Sequence, residues 1–228
     1  MNTLSQKAYD HLREQLKRGV LPPNSRLVNR SLATEIGVSL TPVREAIHRL
    51  ASEGLVEYVA GAGAFVRQIE PAEIDELYQL RACLEPMAAE NAARQIGAHD
   101  LEELDFLCEQ FHRVVEALKA RPEKPASSEQ TREWFDLEER FHTRVIKASG
   151  NRWLTKVASE MRFLCKSFAL QRDQPELVDV PVAEQTWKDH AELVRLLRKG
   201  DAAATRTWME QHIETGRKYV MDRLRRQG

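Results

Sequence analysis

The sequence predicts a mainly α chain: an N-terminal winged helix-turn-helix of three helices and a small two-stranded wing, then a C-terminal antiparallel bundle of about six helices. Three observations carry this expectation. Residues 29–67 set a short helical run, a glycine, a second amphipathic helix and two short strand-like runs around a glycine loop. From Pro71 onward the apolar residues recur with helical spacing and no strand pattern interrupts them. The breaks between these helical runs are mostly short, and short connections make neighbouring helices antiparallel.

Composition sets outer bounds. At 228 residues, with 42% hydrophobic and 30% charged residues, the chain reads as soluble and globular, with room for one large or two modest domains. No apolar run approaches the roughly 18 residues of a membrane span, and the N-terminus lacks a signal-peptide pattern. Cys83, Cys108 and Cys165, an odd number in no ligand-like spacing, suit a reducing cytoplasm. The net charge of −1 hides an asymmetry. Residues 1–69 hold 9 Lys and Arg against 6 Asp and Glu, whereas residues 70–228 hold 25 against 29. A mildly basic domain at 1–69 joined to an acidic one at 70–228 fits nucleic-acid contact at one end only.

In chain order, residues 4–18 place Leu4, Ala8, Leu12 and Leu16 at helical spacing, Gly19 stops that helix and residues 21–24 turn. The helix is expected to pack beneath the next two. Arg30–Ile36 form a short helix ended by Gly37, which can take the positive φ of a tight interhelical turn. The second helix starts near Ser39 or Thr41, either of which can cap it, and runs to about Glu53. Pro42 falls in its first turn, where the missing N–H costs nothing. Ala46, Ile47, Leu50 and Leu55 form its inward stripe, which leaves Thr41, Arg44, His48 and Arg49 facing outward. Strands at Leu55–Val59 and Ala64–Gln68 flank the loop Ala60-Gly61-Ala62-Gly63.

Beyond Pro71, helical patterns cover 71–95, 98–119, 129–149, 151–171, 182–199 and 201–226. Breaks fall at Gly97, at 121–128, at Ser149-Gly150-Asn151, at 173–181 and at Lys199-Gly200-Asp201. The segment 121–128 (RPEKPASS) is polar and reads as a disordered loop.

Polar residues stand where the bundle pattern calls for apolar ones. The stripe Trp134, Leu137, Phe141, Val145 has Glu138 and His142 on its edge, one turn apart. His190 aligns with Trp187, Val194 and Leu197, and His212 with Trp208 and Tyr219. One carboxylate and three imidazoles thus point from three helices toward one interior. A lone buried carboxylate is costly unless it is paired or binds a metal, and this N/O donor set suits zinc, nickel or manganese. The bland reading gives each histidine a hydrogen bond in the core and leaves the Glu/His pair on a solvated face. His11, His48, His99 and His112 form no comparable set. Arg81 interrupts the stripe Ile74, Leu77, Tyr78, Leu84, Ala88. It either pairs with Glu85 at i+4 or snorkels, or it clamps the carboxylate of a ligand. Asn151 and Arg152 open the fourth bundle helix and either line a polar pocket or cap and solvate the helix start.

The run LATEIGVSLTPVREAIHRLASEGLVE with the wing GAGAFV resembles the GntR family of bacterial transcription regulators. The rest, through LRACLEPMAAENAA, E-x-x-FH followed by SGN, then His190 and His212, is similar to the FCD effector domain of the family's FadR branch. The resemblance implies a homodimer formed through the effector domains, gripping a palindromic double-stranded DNA operator. It implies that Arg30, Thr41 and Arg44 touch phosphates or base edges, with Ser39 and Arg49 in the same DNA-binding set, and that Gly61 lets the wing tip enter the minor groove. Leu40 stands where the family commonly has arginine, which removes one guanine reader and shifts weight to Arg44 and DNA shape. In the family's metal-binding members the pattern is Asp-x-x-x-His with one histidine on each of two later helices. Here His142, His190 and His212 match and Glu138 replaces the aspartate. The implied cofactor is a divalent ion, zinc first with nickel or manganese as alternatives. The implied effector is a small carboxylate contacted by Arg81 and Asn151. The expected function is that of a metabolite-responsive repressor, not an enzyme. Two rivals are a metalloenzyme built on Glu138, His142, His190 and His212, and a DNA-binding regulator whose metal is purely structural.

Overall fold

Helix α1 (Leu4–Lys17) begins at Thr3, whose hydroxyl accepts the Gln6 N–H at 3.1 Å. It buries Ala8, Tyr9, Leu12 and Leu16 and leaves Leu4 exposed. The computed structural model describes residues 3–171 and 178–225. Their contacts divide the chain into two compact units, residues 1–69 with 166–173 and residues 70–165 with 174–228.

In the first unit, α2 (Asn29–Ile36) ends where Gly37 turns to φ +73°, and α3 (Leu40–Ser52) follows. Ser39 occupies the N-cap position of α3, but its side chain makes no capping bond, and Thr41 lies inside the helix. Ser39 therefore holds the expected cap position without forming the expected capping bond. α1 packs on α3, so Leu12 and Leu16 meet the side carrying Val43, Ala46, Ile47 and Leu50, all buried. Each such aliphatic side chain contributes about 1.5–3 kcal/mol by leaving water. Strands β2 (Val56–Val59) and β3 (Gly63–Val66) pair antiparallel, with Glu57 opposite Phe65 and Val59 opposite Gly63.

The wing holds one strand more than expected. β1 (Arg26–Leu27) pairs antiparallel with β3, Leu27 opposite Ala64, in the order β1-β3-β2. Two residues are too few to show alternation, so β1 has no signature that periodicity can detect. Tertiary bonds from Val66 N to Ser25 O and from Asn24 N to Val66 O, both 2.9 Å, hold it in place.

The second unit contains α4 (Pro71–Gln95), α5 (Ala98–Lys119), α6 (Ser128–Ala148), α7 (Arg152–Gln171) as far as Cys165, α8 (Val180–Lys199) and α9 (Ala202–Arg225). α4 starts with a capping box between Glu70 and Glu73 and with Pro71 in its first turn. Gly200 ends α8 at φ +69°. α4 packs on α9 and α6, and α5 on α8 and α6, around Leu104, Leu107, Phe111, Phe141 and Leu193. These helices fall within two residues of the sequence patterns. The predicted break at 173–177 and the predicted helix end at 226 lie outside the described residues.

One expectation is corrected. The connection 121–127 is not a disordered loop: Ala126 is buried in the bundle core, and Ser127 caps α6 through a box with Gln130. Its polar composition masks one apolar anchor and one cap. Cys83, Cys108 and Cys165 are free thiols. Among the described residues, no helix is long and apolar enough to cross a membrane.

Candidate functional site

The buried stripe of α6, Trp134, Leu137, Phe141 and Val145, fixes the rotation of that helix and with it the side chains that ride on the stripe's edge. His142 is closed to water, while the Glu138 side chain keeps 21% of its exposure. α8 contributes His190, fully buried, and α9 contributes His212. One ring nitrogen from each of His142, His190 and His212 lies within 4.8 Å of the others. Aromatic neighbours wall the cluster: Phe141 stacks on His190 at 4.0 Å between centroids and Trp208 on His212 at 4.8 Å.

Glu138 reaches into this cluster. Its Oε2 is 3.5 Å from His142 Nε2 and its Oε1 is 3.5 Å from His190 Nε2. None of these approaches is a hydrogen bond. Glu138 Oε1 and both ring nitrogens of His142 and of His190 are buried without a partner. Buried polar atoms are almost always satisfied, so these orphaned imidazole and carboxylate atoms, with Arg162 Nε orphaned nearby, call for an explanation, and a bound ion is one. The three imidazoles, with converging ring nitrogens, are a donor set able to hold a metal ion.

The electrostatics agree with that fit. Burial pushes the His190 imidazole down to about 3, against the opposing pull of Glu138. Burial, reinforced by His142 and His190, also holds His212 well below its ordinary value. Neutral rings are the form that ligates a metal. Burial alone would raise the Glu138 carboxyl, but attraction to His190, and after it to His142, holds it below the usual carboxylate range.

A second buried constellation adjoins the first. Arg81 Nε donates to Glu85 Oε1 at 2.6 Å, one turn along α4. Arg162 of α7 donates from Nη1 to both Glu85 oxygens, at 3.1 and 2.9 Å, and from Nη2 to the backbone carbonyl of Glu138 at 3.3 Å. Glu85 Oε2 is 3.3 Å from His142 Nδ1. Burial would raise the Glu85 carboxyl, yet Arg162 and Arg81 hold it well below its ordinary range. Of the readings open for Arg81, the pairing with Glu85 is the one formed, and the guanidinium also lies 4.6 Å over the Tyr78 ring.

Asn151 is not brought to this constellation by any contact it makes. It is exposed, and its Oδ1 accepts the N–H groups of Trp153 at 3.1 Å and Leu154 at 3.0 Å, capping α7. Sequence reasoning passed over Arg162 altogether. The available signal was a charged residue between Met161 and Phe163, both buried.

In the first unit, Arg30 on α2 and Thr41 and Arg44 on α3 are exposed. Arg44 has no hydrogen-bond or ion-pair partner among the described residues. Arg49 differs: it lies 3.6 Å over the Tyr9 ring, donates from Nη1 to Gln6 at 3.0 Å and from Nε to Glu53 at 3.2 Å. Tyr9 in turn donates to Glu53 at 2.8 Å, and burial with that carboxylate raises its hydroxyl to about 12. Leu40 opens α3 partly exposed, and Gly61 stands at the wing tip at φ +74° with open space around it.

Residues 4–66 match the model of bacterial regulatory proteins of the gntR family, and residues 76–215 match the FCD domain. The chain is 37% identical over 115 residues to the HTH-type transcriptional regulator McbR of Escherichia coli K12. That match covers 50% of this chain and spans about half, 52%, of the relative. A match at 25% identity to the HTH-type transcriptional repressor GlaR of the same organism covers 94% of both chains. The solved structure of E. coli McbR/YncC shares the fold at a TM-score of 0.79 and 23% identity, over 100% of this chain and 99% of that one. The gntR family model and both of these relatives are described as regulators, which sets aside the metalloenzyme reading. The chain belongs to the gntR family of bacterial regulatory proteins and is a DNA-binding transcriptional regulator whose C-terminal part is an FCD domain.

Proposed function

We propose that the chain is a metabolite-controlled repressor that binds a palindromic operator as a homodimer in the cytoplasm. The labour divides near Ile69, with residues 1–69 reading DNA and residues 70–228 sensing the metabolite and pairing the subunits. The observation that carries the sensing half is the set of orphaned ligating atoms on Glu138, His142 and His190, with His212 beside them. His142, His190, His212 and Glu138 hold a divalent ion, zinc before nickel or manganese. That ion supplies a Lewis-acid anchor for the carboxylate of a small organic acid. Arg81 and Arg162 make the adjoining wall positive for the same anion, while Asn151 is occupied as a helix cap.

For the DNA half, Arg44 is an exposed guanidinium free to meet a base edge, with Thr41 and Arg30 beside the backbone. Gly61 gives the wing tip its turn. Ser39 sets the start of α3, and Arg49 braces that helix from within its own unit instead of touching DNA. Exposed apolar side chains, Leu80 and Met87 on α4 with Trp153 and Val157 on α7, offer surface for a second copy.

The test starts from selection of an operator out of random duplexes with the full chain, followed by anisotropy titration in a panel of carboxylic acids with zinc. One acid is expected to change operator affinity about 5–150-fold, the usual range of allosteric coupling. An affinity that no acid alters, with or without metal, overturns the sensing half. Failure to select any duplex overturns the DNA half.

A further inference from the structure

We infer that Glu85 is a positioning residue of the metal centre: it selects the tautomer of His142 and fixes its ring, and two arginines lock it in place to do so. The inference rests on the metal reading above and concerns a residue outside the ligand set.

Glu85 has no exposure, and a buried carboxylate needs a counter-charge. One guanidinium would neutralise it, yet two bond it, although Arg162 also stands 4.0 Å from the Glu138 carboxylate. Arg81 takes Oε1, and Arg162 spans both oxygens. The surplus contact leaves the carboxylate no freedom to turn. Its Oε2, bonded to Arg162 at 2.9 Å, is thereby aimed at His142 Nδ1, 3.3 Å away. An ionised carboxylate only accepts, so this approach is favourable only when Nδ1 carries the proton. Glu138 Oε2, 3.5 Å from His142 Nε2, favours a proton there in the same way, and an ion seated between Nε2 and Glu138 would remove that second demand while leaving the proton on Nδ1. Arg162 also bonds the Glu138 carbonyl, so one guanidinium ties the positioning carboxylate to the turn of α6 that carries Glu138 and His142. The 3.3 Å approach falls short of an aligned hydrogen bond, which leaves room for it to tighten when Nε2 is drawn to an ion.

The experiment uses the full chain as wild type, as Glu85→Gln, and as the charge-balanced double variant Glu85→Leu/Arg81→Met, which decides the matter where the single variant fails to fold. Zinc affinity is read by competition with a chromogenic chelator. The His142 tautomer is read from ¹⁵N shifts of histidine-labelled, metal-free protein. Wild type is expected to carry the proton on Nδ1, and the variants to lose that preference together with roughly 10–100-fold in zinc affinity. Wild type that binds zinc with variants within twofold of it overturns the inference alone. So does an affinity loss with an unchanged tautomer, which assigns Glu85 to structure. Wild type that binds no zinc overturns the metal reading and this inference with it.

Discussion

Arg81 Nε and Glu85 Oε1 stand 2.6 Å apart, one turn along α4, with both side chains nearly closed to water. Arg162 joins the same carboxylate from α7, so two cations share one anion in the bundle interior. Removing the anion strands Arg81 and leaves Arg162 only the Glu138 carboxylate 4.0 Å away, whereas removing Arg81 leaves the Arg162–Glu85 pair intact. Glu85→Leu is therefore expected to cost about 3–5 kcal/mol in urea unfolding, the cost of breaking a buried pair, and Arg81→Met clearly less. Equal costs would show that charge balance does not govern the cluster.

Arg44 and Arg49 stand five residues apart on α3 and do different work. Arg44 is exposed and has no partner among the described residues, so Arg44→Ala is expected to leave stability within about 0.5 kcal/mol. It should cost about 1–3 kcal/mol of operator binding and less on random duplex. Arg49 is spent on Tyr9, Gln6 and Glu53, so Arg49→Ala should lower the melting temperature of the protein. Paired melting curves and anisotropy titrations separate the two roles. Equal losses on specific and random DNA for Arg44→Ala would make it a phosphate contact.

Gly37 and Gly61 hold φ of +73° and +74°, and a Cβ at either would meet nothing within 4 Å. Any cost of alanine there is backbone strain alone, about 1–2 kcal/mol for a left-handed residue. Asparagine, which tolerates that region, should cost less at both. Urea unfolding of the four variants checks this, and an alanine as stable as glycine would mean that the turns relax.

The bundle was legible because its helices are long and each buried face repeats many times, as Trp134, Leu137, Phe141 and Val145 do. The four candidate ligands were legible for the same reason, since a periodic stripe makes a misplaced His190 or His212 visible. What escaped is what periodicity does not encode. The strand Arg26–Leu27 exists through bonds to residues about 40 positions away. Arg162 meets Glu85 across 77 residues of chain, and on its own helix it reads as a solvated charge. Arg49 lies on the outward face by spacing, yet its long side chain folds back over Tyr9. A guanidinium's partner is set by tertiary geometry, not by the direction of its Cβ.

The orphaned nitrogens of His190 give the sharpest test of the metal site. A ligand that binds only the folded form stabilises it by about 2.7 kcal/mol at a hundredfold excess over its dissociation constant. At about 2–4 °C per kcal/mol for a unit of this size, zinc should raise the melting temperature of the wild type by roughly 5–10 °C. His190→Ala removes a buried ring stacked on Phe141, so it will lower the baseline whether or not a metal binds. The informative quantity is the zinc-induced shift within each protein. It should largely vanish in His190→Ala and persist in His99→Ala, which changes an exposed histidine outside the cluster. A chelator added to the wild type should reverse the shift. Equal shifts in all three proteins would place the ion at some other group of side chains, and no shift in any would remove the metal from this fold.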